Sequence, residues 1–303
     1  MKRFLKKAIL FFLLVLAIYT FILVFFGGYV DYFYNKFTTP KQSSLIIGDS
    51  RSLQGIQPSI LNECLSFKKN ETQFFNYSFT ISQATYGPLY TKSIFKKLDT
   101  TTVNKGVYIL NVNPWMLARR PGDDFKNSKF IEENVPPHNM DFVNMNPNYE
   151  YLIRNYKYFH FRSLIRRTSK LHKDGWLEER NLPKDSITLQ NWTDHQIKMF
   201  QGFSNKWKKS PYRKNHLKEL IVRLKKHGEV FLVRLPISEK VLEIEENFWS
   251  KFSKEMNVLA KDTEVTFIDF SKKNQYKTYD GHHLTKNGGK IFTKDLCDSI
   301  LKK

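Results

Sequence analysis

Only two cysteines, Cys64 and Cys297, occur in the 303 residues. That excludes a disulfide-built scaffold and leaves no thiolate cluster for a metal, so neither a metal nor another cofactor is expected. The pair can bond in an oxidising compartment or remain as two buried free thiols, and both readings stay open here. No internal repeat, low-complexity tract or nucleic-acid recognition motif is present. Acidic residues are also scarce, 29 against 49 Lys and Arg, for a formal net charge of +20. This balance suits attraction to an anionic surface, phospholipid heads or a phosphate- or uronate-bearing polymer. A solvated basic face on a lysine-rich chain explains it equally well.

Charge is absent from Ala8 to Phe26, nineteen residues in which Tyr19 and Thr20 alone carry polar side-chain atoms. At about 1.5 Å per residue such a helix covers roughly 28 Å, close to the hydrocarbon thickness of a bilayer. Tyr29, Tyr32, Phe33 and Tyr34 follow, aromatic residues suited to the headgroup boundary. Lys2, Arg3, Lys6 and Lys7 precede the run and favour a cytoplasmic N-terminus, which sends the rest across the membrane. A cleaved signal peptide is the rival reading. Its apolar region is normally shorter and ends in small residues, whereas this run ends Val-Phe-Phe-Gly-Gly-Tyr. An uncleaved anchor over residues 1–30 and an extracytoplasmic domain are therefore expected, and nucleic acid is not expected as a partner.

Residues 31–42, ending Thr-Thr-Pro-Lys-Gln, read as a linker. Beyond them the chain is rich in aromatic and aliphatic residues, enough for a real core. Five short apolar runs stand out: Ser43–Gly48, Gln73–Tyr77, Val107–Val112, Glu229–Leu235 and Val265–Phe270. Helical patterns separate them. Leu217, Leu220, Ile221 and Leu224 hold the i, i+3, i+4, i+7 spacing, with Gly228 as the stop. Continuous apolar strands alternating with helices predict an α/β fold with a parallel sheet covered on both faces, spanning 43–303. From about 115 to 210 the alternation breaks. Tyr149, Tyr151, Tyr156, Tyr158, Phe159 and Phe161 lie there beside Arg154, Arg162, Arg166 and Arg167. This stretch reads as a largely helical insertion packing its aromatics on the core, or as a wall for a polymer over the site.

The first strand ends Gly48-Asp49-Ser50-Arg51, which puts Ser50 at the carboxyl edge of the sheet, where open α/β folds place their sites. With Leu53–Leu65 as the next helix, backbone N–H groups near Ser50 face an incoming oxyanion. Near the other end, Asp280-Gly281-His282-His283 follows the last strand and precedes a final helix from Gly288 to Leu301. Asp280 and His283 are three apart, so one turn brings the carboxylate to a ring nitrogen and leaves the other nitrogen for the serine proton. A serine is a weak nucleophile without such a base. His282 competes for the same role, and the spacing favours His283. Asn111-Val112-Asn113-Pro114 closes the third strand and offers amide donors, or merely a strand-end turn.

These three blocks resemble the SGNH/GDSL hydrolase superfamily over residues 43–303. The resemblance implies a flavodoxin-like three-layer α/β/α sandwich of about five parallel strands. It also implies acyl transfer through a serine ester, with Ser50 as nucleophile, His283 as base and Asp280 as its orienter. The Ser50 N–H, Ser78 and Asn113 would form the oxyanion hole, although Ser78 stands where the family normally has glycine and Asn111 competes with Asn113. Tethered members that modify envelope glycans are similar in layout, the D-alanyl-transfer protein of the teichoic-acid pathway and polysaccharide O-acetyltransferase and esterase domains among them. The expected activity is an extracytoplasmic serine esterase or O-acyltransferase on an acylated glycan or anionic envelope polymer. The expected partners are membrane lipid and, for transfer, a multi-span membrane acyltransferase. The alternative is a degenerate glycan-binding or scaffolding protein. Val233-Arg234-Leu235-Pro236, with Glu245 or Glu246 downstream, carries no assigned role.

Overall fold

The computed structural model describes residues 1–65, 73–101, 105–155 and 168–303. Tyr156, Tyr158, Phe159, Phe161, Arg162, Arg166 and Arg167, singled out above, lie outside them.

The chain opens with helix α1 (Lys2–Phe26), long and apolar enough to cross a membrane. Then come β1 (Ser44–Ile47), α2 (Ser50–Gly55), α3 (Pro58–Leu65), β2 (Phe74–Asn76), α4 (Pro88–Lys97) and β3 (Gly106–Asn111). The insertion carries β4 (Ala118–Arg119), α5 (Tyr149–Asn155), the hairpin β5 (Ser169–Leu171) and β6 (Leu177–Glu179), α6 (Ser186–Lys206) and β7 (Lys208–Lys209). It is followed by α7 (Pro211–Lys225), β8 (Gly228–Arg234), α8 (Glu239–Phe248), α9 (Phe252–Asp262), β9 (Thr266–Asp269) and α10 (Lys286–Leu301).

Five strands form one sheet in the order β2-β1-β3-β8-β9, parallel throughout. Successive side chains on a strand point to opposite faces, and here both faces are apolar. Leu45, Ile47, Tyr108, Leu110 and Leu232 pack on one side with Ile94 of α4, Leu220 and Leu224 of α7 and Met256 of α9. Ile46, Val107, Ile109, Phe231 and Val233 face the other side, under Leu61 of α3 and Phe292, Leu296 and Ile300 of α10. This is the expected three-layer sandwich. Cys64 of α3 and Cys297 of α10 form a disulfide that ties those two helices together.

Three expectations are corrected. The helix over Leu53–Leu65 is two helices: Ile56 is extended, and Pro58 starts α3 while disfavouring helical backbone just before it. Residues 31–42 are built into the domain rather than left as a linker. Tyr34, Lys36 and Phe37 are fully buried there, and Lys36 Nζ donates to the carbonyls of Asn76 and, at 2.7 Å, Gly175. The insertion is less helical than expected, because residues 120–148 contain no α-helix. A buried polar cluster holds that stretch. Arg213 of α7 pairs with Asp123 at 2.7 Å and Glu132 at 3.0 Å, and Arg120 also pairs with Glu132.

Candidate active site

Strand order reverses about β1: β2 lies on one side and β3 on the other, so a crevice opens beyond their carboxyl ends. Ser50 starts α2 directly beyond β1. The side chain of Asp49 caps that helix by accepting from Arg51 N at 3.1 Å. From the opposite end of the chain, the loop between β9 and α10 brings Asp280 and His283 to the same place. Gly281 permits the turn with φ +91°, a left-handed conformation that favours glycine. Its carbonyl accepts from Ser238 N at 2.8 Å, and Tyr279 N donates to His283 O at 3.1 Å, which closes the turn.

His283 Nε2 lies 2.8 Å from Ser50 Oγ, and His283 Nδ1 lies 2.7 Å from Asp280 Oδ2. Asp280 Oδ1 accepts from the backbone N–H of His282 at 3.2 Å and of His283 at 2.9 Å. With the carboxylate accepting from Nδ1–H, the Nε2 lone pair faces the serine hydroxyl. Burial works against the Asp280 charge. The His283 and His282 rings and the bonds from His283 outweigh it, holding the carboxyl well below the usual range. The Tyr279 ring stacks on His283 at 5.7 Å and its hydroxyl donates to Gln54 Oε1 at 2.7 Å, which fixes the plane of the imidazole.

His282 is buried with its ring edge-on to Phe200, 5.0 Å between centroids. Burial, then the neighbouring His283, pushes its pKa well down. Its Nδ1 is 3.4 Å from Asp280 Oδ1 and makes no hydrogen bond among the described residues. Asp280, His282 and His283 each bring one possible metal-ligating atom within 4.8 Å of the others. Both His283 nitrogens are already engaged by Ser50 and Asp280.

Two of the three expected oxyanion donors point elsewhere. Asn113 Nδ2 donates to Asp49 Oδ2 at 2.7 Å, while its Oδ1 accepts from Trp115 N and Met116 N. Asn111 Nδ2 donates to the other Asp49 oxygen, also at 2.7 Å. Ser78 N donates to Asn76 Oδ1 at 3.1 Å, and Ser78 Oγ receives Ser52 Oγ at 2.9 Å. Ser78 and Asn113 are buried behind the serine and are not among the residues lining the cleft. The Ser50 N–H, at the first turn of α2, makes no hydrogen bond among the described residues. Nor does the N–H of Ile81, which lines the cleft three residues beyond Ser78.

The cleft around Ser50 and His283 has a volume of about 330 Å³. The insertion builds much of its wall, with Leu177 and Glu179 from β6 and Gln196, Met199 and Phe200 from α6. Phe200 in turn stacks on Trp115 at 5.5 Å, so the same aromatics line the site and pack on the core. A larger groove of about 570 Å³ between α6 and α8 is lined by no histidine and has no such dyad. Beneath the cleft, Arg51 lies 2.7 Å from Glu245 Oε1, and Arg234 donates to Glu245 Oε2 at 2.8 Å. The Arg234 segment therefore has a place: with Glu245 it supports the residue next to Ser50. Glu246 faces outward, 3.5 Å from Lys272.

No protein-family model matches the chain, and no curated protein does. Among solved structures it is similar to Est24, a carbohydrate acetylesterase from Sinorhizobium meliloti, with TM-score 0.42 and 10% identity over 86% of this chain and 99% of that one. It is similar to the native aryl esterase of M. smegmatis, with TM-score 0.41 and 9% identity over 85% and 97%. A family two carbohydrate esterase from Clostridium thermocellum, solved as an active-site mutant, gives TM-score 0.38 and 10% identity over 87% and 64%. At these scores the functional reading rests on the residues of this chain.

Proposed function

We propose that this chain is an SGNH-type serine esterase acting on acyl esters of a carbohydrate in the cell envelope. The observation that carries this is the alignment of Ser50, His283 and Asp280 at 2.8 and 2.7 Å on the carboxyl edge of a parallel sheet. Ser50 Oγ attacks the ester carbonyl as its proton passes to His283 Nε2, and Asp280 stabilises the imidazolium that forms. The negative oxygen of the tetrahedral intermediate is received by the N–H of Ser50 at the first turn of α2. Collapse breaks the bond to the sugar oxygen, which takes the proton from His283. Water then releases the acid from the acyl-serine, and a sugar hydroxyl in its place gives transfer, with a multi-span membrane acyltransferase as the partner that supplies acyl groups.

An extracytoplasmic location is part of the same reading. The basic residues Lys2, Arg3, Lys6 and Lys7 before α1 support it, and the Cys64–Cys297 disulfide suits an oxidising compartment. The net charge of +20 suits an anionic envelope polymer as the acylated substrate.

A fluorophosphonate probe tests the proposal directly. The wild type is expected to be labelled, Ser50→Ala and His283→Ala to lose labelling, and His282→Ala to retain it. A folded wild-type protein that resists labelling overturns the reading.

A further inference from the structure

The catalytic domain grips the last turns of its membrane helix. Tyr149 of α5 hydrogen-bonds Thr20 of α1 at 2.6 Å, and Leu23 is buried in the domain core. Thr20 lies six residues before the end of α1, about 9 Å back along its axis. The uncharged run is itself only about as long as a bilayer core is thick, so a domain reaching back to Thr20 must enter the interfacial layer.

The surface there suits that position. Ile153 is one turn beyond Tyr149 on the same face of α5, and it is 83% exposed. Phe142 and Met145, 52% and 38% exposed, stand on the loop before α5. Met145 N donates to Phe37 O at 3.1 Å, which ties that loop to the segment leaving the membrane. Exposed apolar groups continuous with a spanning helix fit hydrocarbon and headgroups better than water.

The cleft belongs to the same end of the molecule. Tyr32, only six residues after α1, lines it together with Ser50. Even a fully extended chain puts Tyr32 within about 21 Å of the helix end. Arg180, next to the β6 wall, donates to Tyr29 Oη at 3.1 Å and fastens the cleft wall to the helix exit.

We propose that the face bearing Phe142, Met145, Tyr149 and Ile153 rests in the interfacial layer of the lipid bilayer, and that the Ser50 cleft therefore acts on esters carried by the membrane. The placement stands on geometry alone, while the choice of substrate rests on the esterase reading above.

The test uses the full chain in phosphatidylcholine nanodiscs carrying a doxyl group near the headgroup. An environment-sensitive fluorophore is attached at Ile153→Cys or, as control, at Val258→Cys on α9 over the opposite edge of the sheet. Quenching at least threefold stronger at 153 than at 258 is expected, and equal quenching overturns the placement whether or not the protein is catalytic. In a second arm, Ile153→Glu is expected to keep fluorophosphonate labelling in detergent. Its hydrolysis of a long-chain 4-methylumbelliferyl ester in phosphatidylcholine vesicles should fall about fivefold relative to a soluble short-chain ester. An unchanged ratio overturns the membrane-borne substrate, and a wild type that neither labels nor hydrolyses points to failure of the esterase reading instead.

Discussion

Asn113 donates its side-chain amide to Asp49, the residue immediately before Ser50, at 2.7 Å. Together with Asn111 on the other carboxylate oxygen, it makes the end of β3 a clamp on the residue that caps the serine helix. The role is to position Ser50, and the site should respond accordingly when the amide is removed.

Asn113→Ala should therefore cost stability more than catalysis. Loss of a buried hydrogen bond to a charged acceptor is worth about 1–3 kcal/mol. An oxyanion donor, by contrast, supplies about 10²–10³ in kcat. Urea midpoints alongside ester hydrolysis separate the two. A stable variant slowed a hundredfold or more would return Asn113 to the oxyanion hole.

Asp280→Asn should leave the fold standing and drop kcat by about 10⁴, the scale known for this substitution beside a catalytic histidine. It should also change the acid response. The folded-state pKa of Asp280 is depressed, so its contribution to stability is present above the unfolded value near 3.9 and is lost as pH falls through the folded one. The part of the stability gap between wild type and variant that comes from the Asp280 charge should shrink below about pH 4. Denaturation midpoints between about pH 5 and 2 measure it, and a gap that keeps widening below about pH 4 would refute the assignment.

The sheet strands and the Asp280–His283 pair were legible because each rests on a local signal, whereas joining that pair to Ser50, 233 positions away, took the resemblance of the separate blocks to a known family. Ile46, Ile109 and Phe231 alternate with Ile47, Leu110 and Leu232 across two buried faces, and such strands read as unbroken apolar runs. Asp280 and His283 meet within one turn, so their spacing alone pairs them. The direction of Asn113 was not legible, since it depends on a carboxylate sixty-four positions away. Lys36 and Phe37 were read as part of a linker for a similar reason. Lys36 is buried where β2 meets the β5–β6 hairpin and the carbonyls of Asn76 and Gly175 accept its ammonium, while Phe37 is buried against Tyr77, Phe79 and Tyr151. Residues 120–148 have no periodic pattern to read, because scattered anchors hold them: Asp123 and Glu132 pair with Arg213, and Met140 and Val143 enter the core.

Lys97 should make stability rise with pH. Burial pushes its ammonium down to about 7 from the ordinary 10.5, although it donates to Thr39 O at 2.6 Å and Val143 O at 2.9 Å. Between those two values the unfolded chain holds a proton that the folded chain has released, so the folded state gains as pH increases. Below pH 7 both states are protonated and the full cost of burial stands. Relative to Lys97→Met, the wild type should gain on the order of 3–4 kcal/mol between pH 7 and 10. Urea titrations of both proteins at unit pH steps check this, and parallel curves would contradict it.

Arg213→Met should be among the most destabilising single changes. The guanidinium is fully buried and joins Asp123 at 2.7 Å to Glu132 at 3.0 Å, and both carboxylates are themselves buried. Both acids sit below the usual carboxylate range. Burial is the largest influence and opposes the charge, but Arg213, ahead of Arg120, outweighs it. Methionine fills similar volume yet leaves two carboxylates with one cation, Arg120, and removing one side of a buried pair costs about 3–5 kcal/mol. Neutralising the stranded acid should recover much of that loss, so Arg213→Met with Asp123→Asn is expected to be more stable than Arg213→Met alone. Denaturant midpoints of the two variants decide the point. A double variant no more stable than the single one would mean that Arg213 acts through packing on Phe125 and Phe130 rather than through charge.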